Sequence, residues 1–259
     1  MTSSHDDHEY YGGHSIEDDP HVYDNGVLIN NFNIRNTTEL SEMESQFSGW
    51  RGIELRDSPI YGLLDLEHAQ KIHHHLFQDV YPWAGQLRAV DISKGGTEFT
   101  TVSKIADDFW NMSKYLKSSG LVVQKIDSEK EFSSAAGIYL GLVNQAHPFR
   151  EGNGRTQRQL LRLLAQEHGY AIDWSGTSPE SMKRACIESL EDPDCKALGK
   201  LIFLAQRKIS LDMQIPPTII GSDAFKKLYS DDIHSEPGSI DQILSQGRTK
   251  APPENDPQP

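Results

Sequence analysis

The stretch His147-Pro148-Phe149-Arg150-Glu151-Gly152-Asn153-Gly154-Arg155-Thr156-Gln157-Arg158 decides how the rest of the chain is read. Its histidine can move a proton, and the Glu151 carboxylate follows four residues later. Gly152-Asn153-Gly154 comes next. Two glycines around an asparagine let the backbone fold into a concave row of N–H donors suited to phosphate oxygens. Beyond this turn, Leu160, Leu161, Leu163 and Leu164 recur at helical spacing. The turn therefore stands at a helix N-terminus, where orphan N–H groups and the macrodipole favour an anion. Arg155 and Arg158 are three apart, share a helix face and can reach one ligand. Glu151 is a hard oxygen donor placed to hold a Mg²⁺ that itself meets phosphate. Together these residues suit attack by a hydroxyl group on a metal-bound nucleotide, with His147 taking the proton.

Helices are expected on both sides of this stretch. Ser128-Glu129-Lys130-Glu131 reads as a capping box, opening an apolar helix that ends near Ala146. The helix after the motif runs to His168, with Gly169 as its stop. Upstream, Asn36-Thr37-Thr38-Glu39 opens a helix through Leu40, Met43, Phe47 and Trp50, and another covers about Asp65 to Val80. Ile105, Phe109, Met112 and Leu116 mark a core-facing stripe on a third. Downstream, Pro179 and Pro193 stand early in helices of about Glu180 to Leu190 and Asp194 to Ile209. His73-His74-His75 point in three directions from a helix, so they read as surface or satisfied core residues and not as a metal site.

Between Leu87 and Phe99, loose alternation and Lys94-Gly95-Gly96-Thr97 suggest a small hairpin. Its exposed strand can pair main chain to main chain with an incoming peptide and hold a hydroxyl near a base. The expected architecture is all-α, a bundle of seven or eight helices with this hairpin beside the motif loop. Residues 1–21 are expected to be a disordered tail, and 22–210 a catalytic domain with an N-terminal arm (Val22, Val27, Leu28, Ile29, Phe32, Ile34). Residues 211–246 read as a C-terminal helical extension and 247–259 as a disordered, proline-rich tail.

The formal net charge of −13 argues against binding along a nucleic-acid backbone or an anionic membrane surface. Two cysteines, Cys186 and Cys195, read as reduced thiols and not as a disulfide framework. No apolar run reaches membrane-spanning length, so a cytoplasmic location is expected unless an export system takes the chain.

The His147–Arg158 stretch resembles the Fic (filamentation induced by cAMP) family motif H-x-F-x-[D/E]-G-N-G-R-x-x-R at every specified position. Tyr81-Pro82-Trp83-Ala84-Gly85 and Leu87 to Gly96 resemble the segment leading into that family's target-docking flap. The resemblance covers about residues 50 to 210. It implies a Fic-type helical bundle and transfer of AMP from ATP to a Tyr, Thr or Ser hydroxyl of a target protein, with release of pyrophosphate. On this reading His147 is the general base and Glu151 binds Mg²⁺. Gly152, Asn153 and Gly154 form the anion hole, Asn153 fixing the α-phosphate, while Arg155 and Arg158 hold the outer phosphates and Phe149 anchors the loop. Asp91, Ile92, Ser93, Lys94, Gly95 and Gly96 form the docking flap.

Two alternatives stay open. The same cradle could transfer UMP, phosphocholine or phosphate, or remove AMP; or the chain is an inactive nucleotide-binding adaptor. Many Fic proteins are restrained by a glutamate in a motif [S/T]-x-x-x-E-[G/N] that pairs with the second arginine. Only Thr38 to Glu42 comes close here, and Met43 departs from the pattern. The expectation is therefore a toxin restrained by a separate small antitoxin that supplies a glutamate to Arg158, with self-inhibition through Glu42 as the alternative.

Overall fold

The structure, a computed structural model, describes residues 10–11, 18–94 and 97–209. Seven α-helices carry the described part: α1 (Thr37–Asp57), α2 (Leu66–Phe77), α3 (Ile105–Ser118), α4 (Glu129–Ala146), α5 (Asn153–Glu167), α6 (Pro179–Glu188) and α7 (Lys196–Ala205). The starts of four are fixed by side chains. Asn36, Asp65, Ser128 and Ser178 each accept a hydrogen bond from the backbone N–H three residues on, closing α1, α2, α4 and α6. Helix α4 runs through the middle, buried along Phe132, Ala136, Tyr139, Leu140 and Val143, and packs against α3, α5 and α7. Its contact with α7 is close because position 137 is glycine. A Cβ there would stand 2.6 Å from the Gly199 nitrogen and push the two helices apart.

Two small sheets complete the fold. Strands β1 (Tyr10–Tyr11), β2 (Ile92–Lys94) and β3 (Thr97–Glu98) lie antiparallel in that order, β2 and β3 forming the expected hairpin. Strands β4 (Tyr170–Ile172) and β5 (Gln206–Lys208) form an antiparallel pair that the sequence reading did not foresee. The helix expected over 194–209 is shorter at both ends. Asp192 accepts from the backbone N–H groups of Asp194 and Lys196, delaying the start. After Ala205 the chain turns extended and pairs beside Tyr170, with the Asp173 and Ile209 N–H groups bonded to the carbonyls of Ala205 and Gly169.

Around the boundary expected at residue 21, the described residues run from Asp18 onward. Asp19 and His21 are buried against the motif loop, because the Asp19 carboxylate meets the Arg150 guanidinium at 2.6 Å. The arm behind them packs through Val22 and Val27, tied down by Trp83 Nε1 donating to the Ile29 carbonyl at 2.9 Å. The expected C-terminal extension and tail lie outside the described residues. Among the described residues, no helix is long and apolar enough to cross a membrane.

Candidate active site

His147 is the residue that ends α4. It adopts the left-handed conformation (φ 40°, ψ 60°), which is strained for a non-glycine residue and turns the chain into the motif loop. Its Nδ1 lies 3.2 Å from the Asn144 carbonyl, an acceptor only, so the proton sits on Nδ1 and the basic lone pair of the neutral ring on Nε2. The ring stacks on Phe99 with centroids 3.8 Å apart. Phe99 directly follows the flap strand β3, so the hairpin root rests against the imidazole.

Helix α5 begins at Gly152 without a side-chain cap, and its first-turn N–H groups have no intrahelical acceptors. Gly152 is the one residue type that fits. Its φ is +81°, and a Cβ would strike the Phe77 ring at 2.3 Å. Glu151 stands beside this opening, one oxygen accepting the Gly152 N–H at 2.7 Å and lying 3.5 Å from Arg155 Nη2. The Asn153 side chain turns inward. Its Oδ1 accepts the Phe149 N–H (2.9 Å) and its Nδ2 donates to the Phe149 carbonyl (2.7 Å), stapling the loop. The side chain is thus committed to the loop, and the group Asn153 presents at the helix start is its backbone N–H.

The two arginines have different surroundings. Arg155 stacks over Phe77 (4.8 Å), donates to Ser48 Oγ at 3.0 Å and pairs with Glu44 of α1. Burial disfavours its charge, but Glu44 and Glu151 outweigh this and raise its pKa. The buried Glu44 carboxylate also accepts from the Tyr81 hydroxyl. Burial, with Glu44 second, pushes that phenol far above its usual range. Arg158 has no ion pair among the described residues, and burial followed by the neighbouring Arg155 charge lowers its pKa. It lines a cleft of about 360 Å³ between α1 and α5, with Ser45, Gly49, Gly52, Arg56 and Gln159 around it. Glu42 is exposed on α1, two residues from the carboxylate that does reach the site. Self-inhibition through Glu42 therefore has no support in the geometry.

Flap and loop are joined by two buried residues. Arg88 is 1% exposed and donates to the carbonyls of His147 (2.8 Å), Val90 (2.9 Å) and Thr100, bridging the end of α4 to both roots of the hairpin. His73 accepts the Gly85 N–H on Nδ1 (2.8 Å), donates from Nε2 to the Glu151 carbonyl (2.9 Å) and stacks on Phe149 at 4.0 Å. In the flap, Asp91 accepts the Val102 N–H at 2.7 Å and Ile92 is buried, so both anchor the root. Ser93 and Lys94 form the strand, and Gly95 and Gly96 lie outside the described residues. The sequence reading singled out neither Glu44 nor Arg88 for the site, nor His73 for the loop. A buried guanidinium inside Leu87-Arg88-Ala89-Val90 was the one visible signal, since arginine in an apolar run needs several acceptors.

The sequence pattern of the Fic/DOC family matches residues 63–165. Over 181 residues the chain is 40% identical to protein adenylyltransferase VbhT of Bartonella schoenbuchensis, covering 70% of this chain and 37% of that protein's length. Over 163 residues it is 36% identical to "Probable protein adenylyltransferase y4lH" of Sinorhizobium fredii, covering 63% of this chain and 83% of the relative. Among solved structures, the N-terminal Fic domain of a VirB-translocated Bep effector from Bartonella quintana, with bound ADP, superposes with a TM-score of 0.65 at 26% identity. That match covers 73% of this chain and 95% of the Bartonella quintana chain. With the family pattern, the fold and a relative matched over most of its length in agreement, this chain belongs to the Fic/DOC family.

Proposed function

We propose that this chain is a protein adenylyltransferase that moves AMP from ATP to a Tyr, Thr or Ser hydroxyl of a target protein. The observation that carries the reading is the αL cap of α4. It places an Nδ1-protonated imidazole at the mouth of a loop that ends in an uncapped helix N-terminus beside Arg155 and Arg158. Backbone N–H groups of Gly152, Asn153 and Gly154 receive the α-phosphate, and Arg158 and Arg155 hold the outer phosphates. His147 Nε2 takes the proton of the attacking hydroxyl. Its oxygen bonds to the α-phosphorus, and the bond from that phosphorus to the β-phosphate bridge breaks, releasing pyrophosphate.

Mg²⁺ fits this donor set in one way. Glu151 offers one carboxylate beside the start of α5, and no group of three potential metal-ligating side chains exists among the described residues. A cation held by one carboxylate and completed by phosphate oxygens and water is the usual Mg²⁺ arrangement. Bound there, it would offset triphosphate charge.

Incubating cell lysate with ATP labelled at the α-phosphate tests the proposal. Transfer of label to protein by the chain, and none by His147→Ala, is the expected result. A chain that labels nothing, or a His147→Ala variant that labels as well, overturns it. Competition by UTP or a choline nucleotide would reassign the donor.

Regulation belongs to the same proposal. Arg158 faces the α1–α5 cleft without a carboxylate partner among the described residues, which favours a separate antitoxin-like protein inserting a glutamate there. The chain would then act as a toxin. Growth arrest on expression, relieved by His147→Ala, is the expected outcome.

A further inference from the structure

Helices α1 and α5 run side by side in the same direction and in register. Ser48 meets Arg155, Gly52 lies against Gln159, and Arg162 donates to the Leu55 carbonyl at 2.7 Å. The cleft between them therefore continues past Arg158, away from the head of α5, with Gln159 and Arg56 at its far end. Gly152 and Gln159 are seven residues apart, a rise of about 10 Å along α5. Packing does not demand glycine on the α1 wall. A Cβ on Gly49 would meet nothing within 4 Å, and one on Gly52 only the Gln159 Nε2, at 3.9 Å. Glycine is a poor helix former, and here its effect is to keep the cleft wide.

The far end presents donors to that space. Gln159 Oε1 is taken by Arg162 Nε at 2.8 Å, which leaves its Nε2 toward the Gly52 wall. None of the lining residues is acidic. Neither Arg56 nor Arg158 has an ion pair among the described residues, in a chain whose net charge is −13. Arg155 differs, because Glu44 and Glu151 both stand beside it. Cations thus follow one another down the cleft, and the carboxylates that balance them stop at the first.

We propose that the far end of this cleft, between Arg158, Gln159 and Arg56, is an exit subsite for the pyrophosphate that transfer releases. The inference rests on the transferase reading. There the α-phosphate is held at the head of α5, so the outer phosphates of intact ATP meet Arg155 and Arg158 and stop short of Arg56. When the α–β bridge breaks, its bonding electrons leave with the diphosphate, which is then free to move. It keeps Arg158 and exchanges Arg155 for Arg56, while Arg155 returns to its carboxylates. A polyanion is drawn toward guanidiniums that no carboxylate balances.

The test titrates pyrophosphate with Mg²⁺ into the full chain saturated with AMP, and ATP into the full chain alone, both by calorimetry. Wild type, Arg56→Ala and Arg56→Lys are compared. Arg56 is exposed in the last turn of α1, so its replacement spares the core. Arg56→Ala should weaken pyrophosphate binding about 10-fold, the effect of losing one charge-assisted contact, and Arg56→Lys should recover part of it. ATP affinity should change less than about twofold, as expected for an exposed charge that the nucleotide does not reach. Unchanged pyrophosphate affinity, or equal weakening of both ligands, would overturn the inference. Transfer of α-label to lysate proteins by wild type would then leave the transferase reading standing. No transfer by wild type removes both.

Discussion

His73 and His147 are both buried imidazoles attached to the motif loop, and they carry their protons on opposite nitrogens. Gly85 donates its N–H to His73 Nδ1, so the proton sits on Nε2 and bonds to the Glu151 carbonyl. His68 and His168 repeat this arrangement, with Leu64 and Ile126 donating to Nδ1 and Nε2 bonded to the carbonyls of Ile60 and Leu121. His147 reverses it. Asn144 offers a carbonyl to Nδ1, and the lone pair falls on Nε2. The difference lies in the backbone group each ring meets. An imidazole whose Nδ1 accepts and whose Nε2 donates to main chain is a staple, whereas one that donates from Nδ1 carries its basic lone pair on Nε2. Burial pushes the His73 pKa down to about 3, which keeps that ring neutral at any working pH.

The sharpest way to break this comparison is His147→Ala. Transfer should fall by at least about 10²–10⁴-fold while circular dichroism and the melting curve stay close to wild type. Substantial residual transfer would make His147 a staple as well. His73→Ala should do the opposite. It leaves the Gly85 N–H and Glu151 carbonyl without partners and opens a cavity beside Phe149, so urea denaturation should show a loss of about 2–5 kcal/mol. A variant with unchanged stability would remove the staple role.

Arg158→Ala should raise KM for ATP by about 10- to 100-fold, the worth of a charge-assisted contact of about 1.5–3 kcal/mol. Glu44→Gln, which leaves Arg155 its serine contact, should move KM less. Acid offers a further test. The pKa values of His21, His68, His73 and His168 are all lowered, chiefly by burial, so the unfolded chain binds protons that the folded chain refuses. Stability should be complete above about pH 6.5 and fall as the pH drops below it toward the His73 value of about 3. Equilibrium unfolding across that range checks the sign. The smallest effect belongs to Phe99→Leu, which trades the ring stacked on His147 for an aliphatic chain, weakening transfer by about 0.5–1.5 kcal/mol with little change in ATP binding.

Much of this architecture was legible from short-range signals. The caps at Asn36 and Ser128, Gly152 at the start of α5 and the loose alternation leading to Lys94 are written in neighbouring residues, and the elements appear where those residues stand. What the sequence hid depends on partners far along the chain. Glu44 meets Arg155, Asp19 meets Arg150, and Arg88 meets carbonyls at both ends of the hairpin. Nothing near Glu44 distinguishes it from Glu42, since both are acidic positions on one helix. Only the direction of α1 across α5 decides which carboxylate arrives. The β4–β5 pair was missed for the same reason, because the extended stretch after Ala205 is dictated by Tyr170 and not by its own residues.

Under the proposed transfer, Arg88 has a consequence for how new targets are acquired. One guanidinium grips the peptide turn that bears His147 and both legs of the hairpin, so these parts behave as a single rigid jig. Residues toward the tip of that jig can change, and with them the proteins it admits, while the alignment of an incoming oxygen stays as it was.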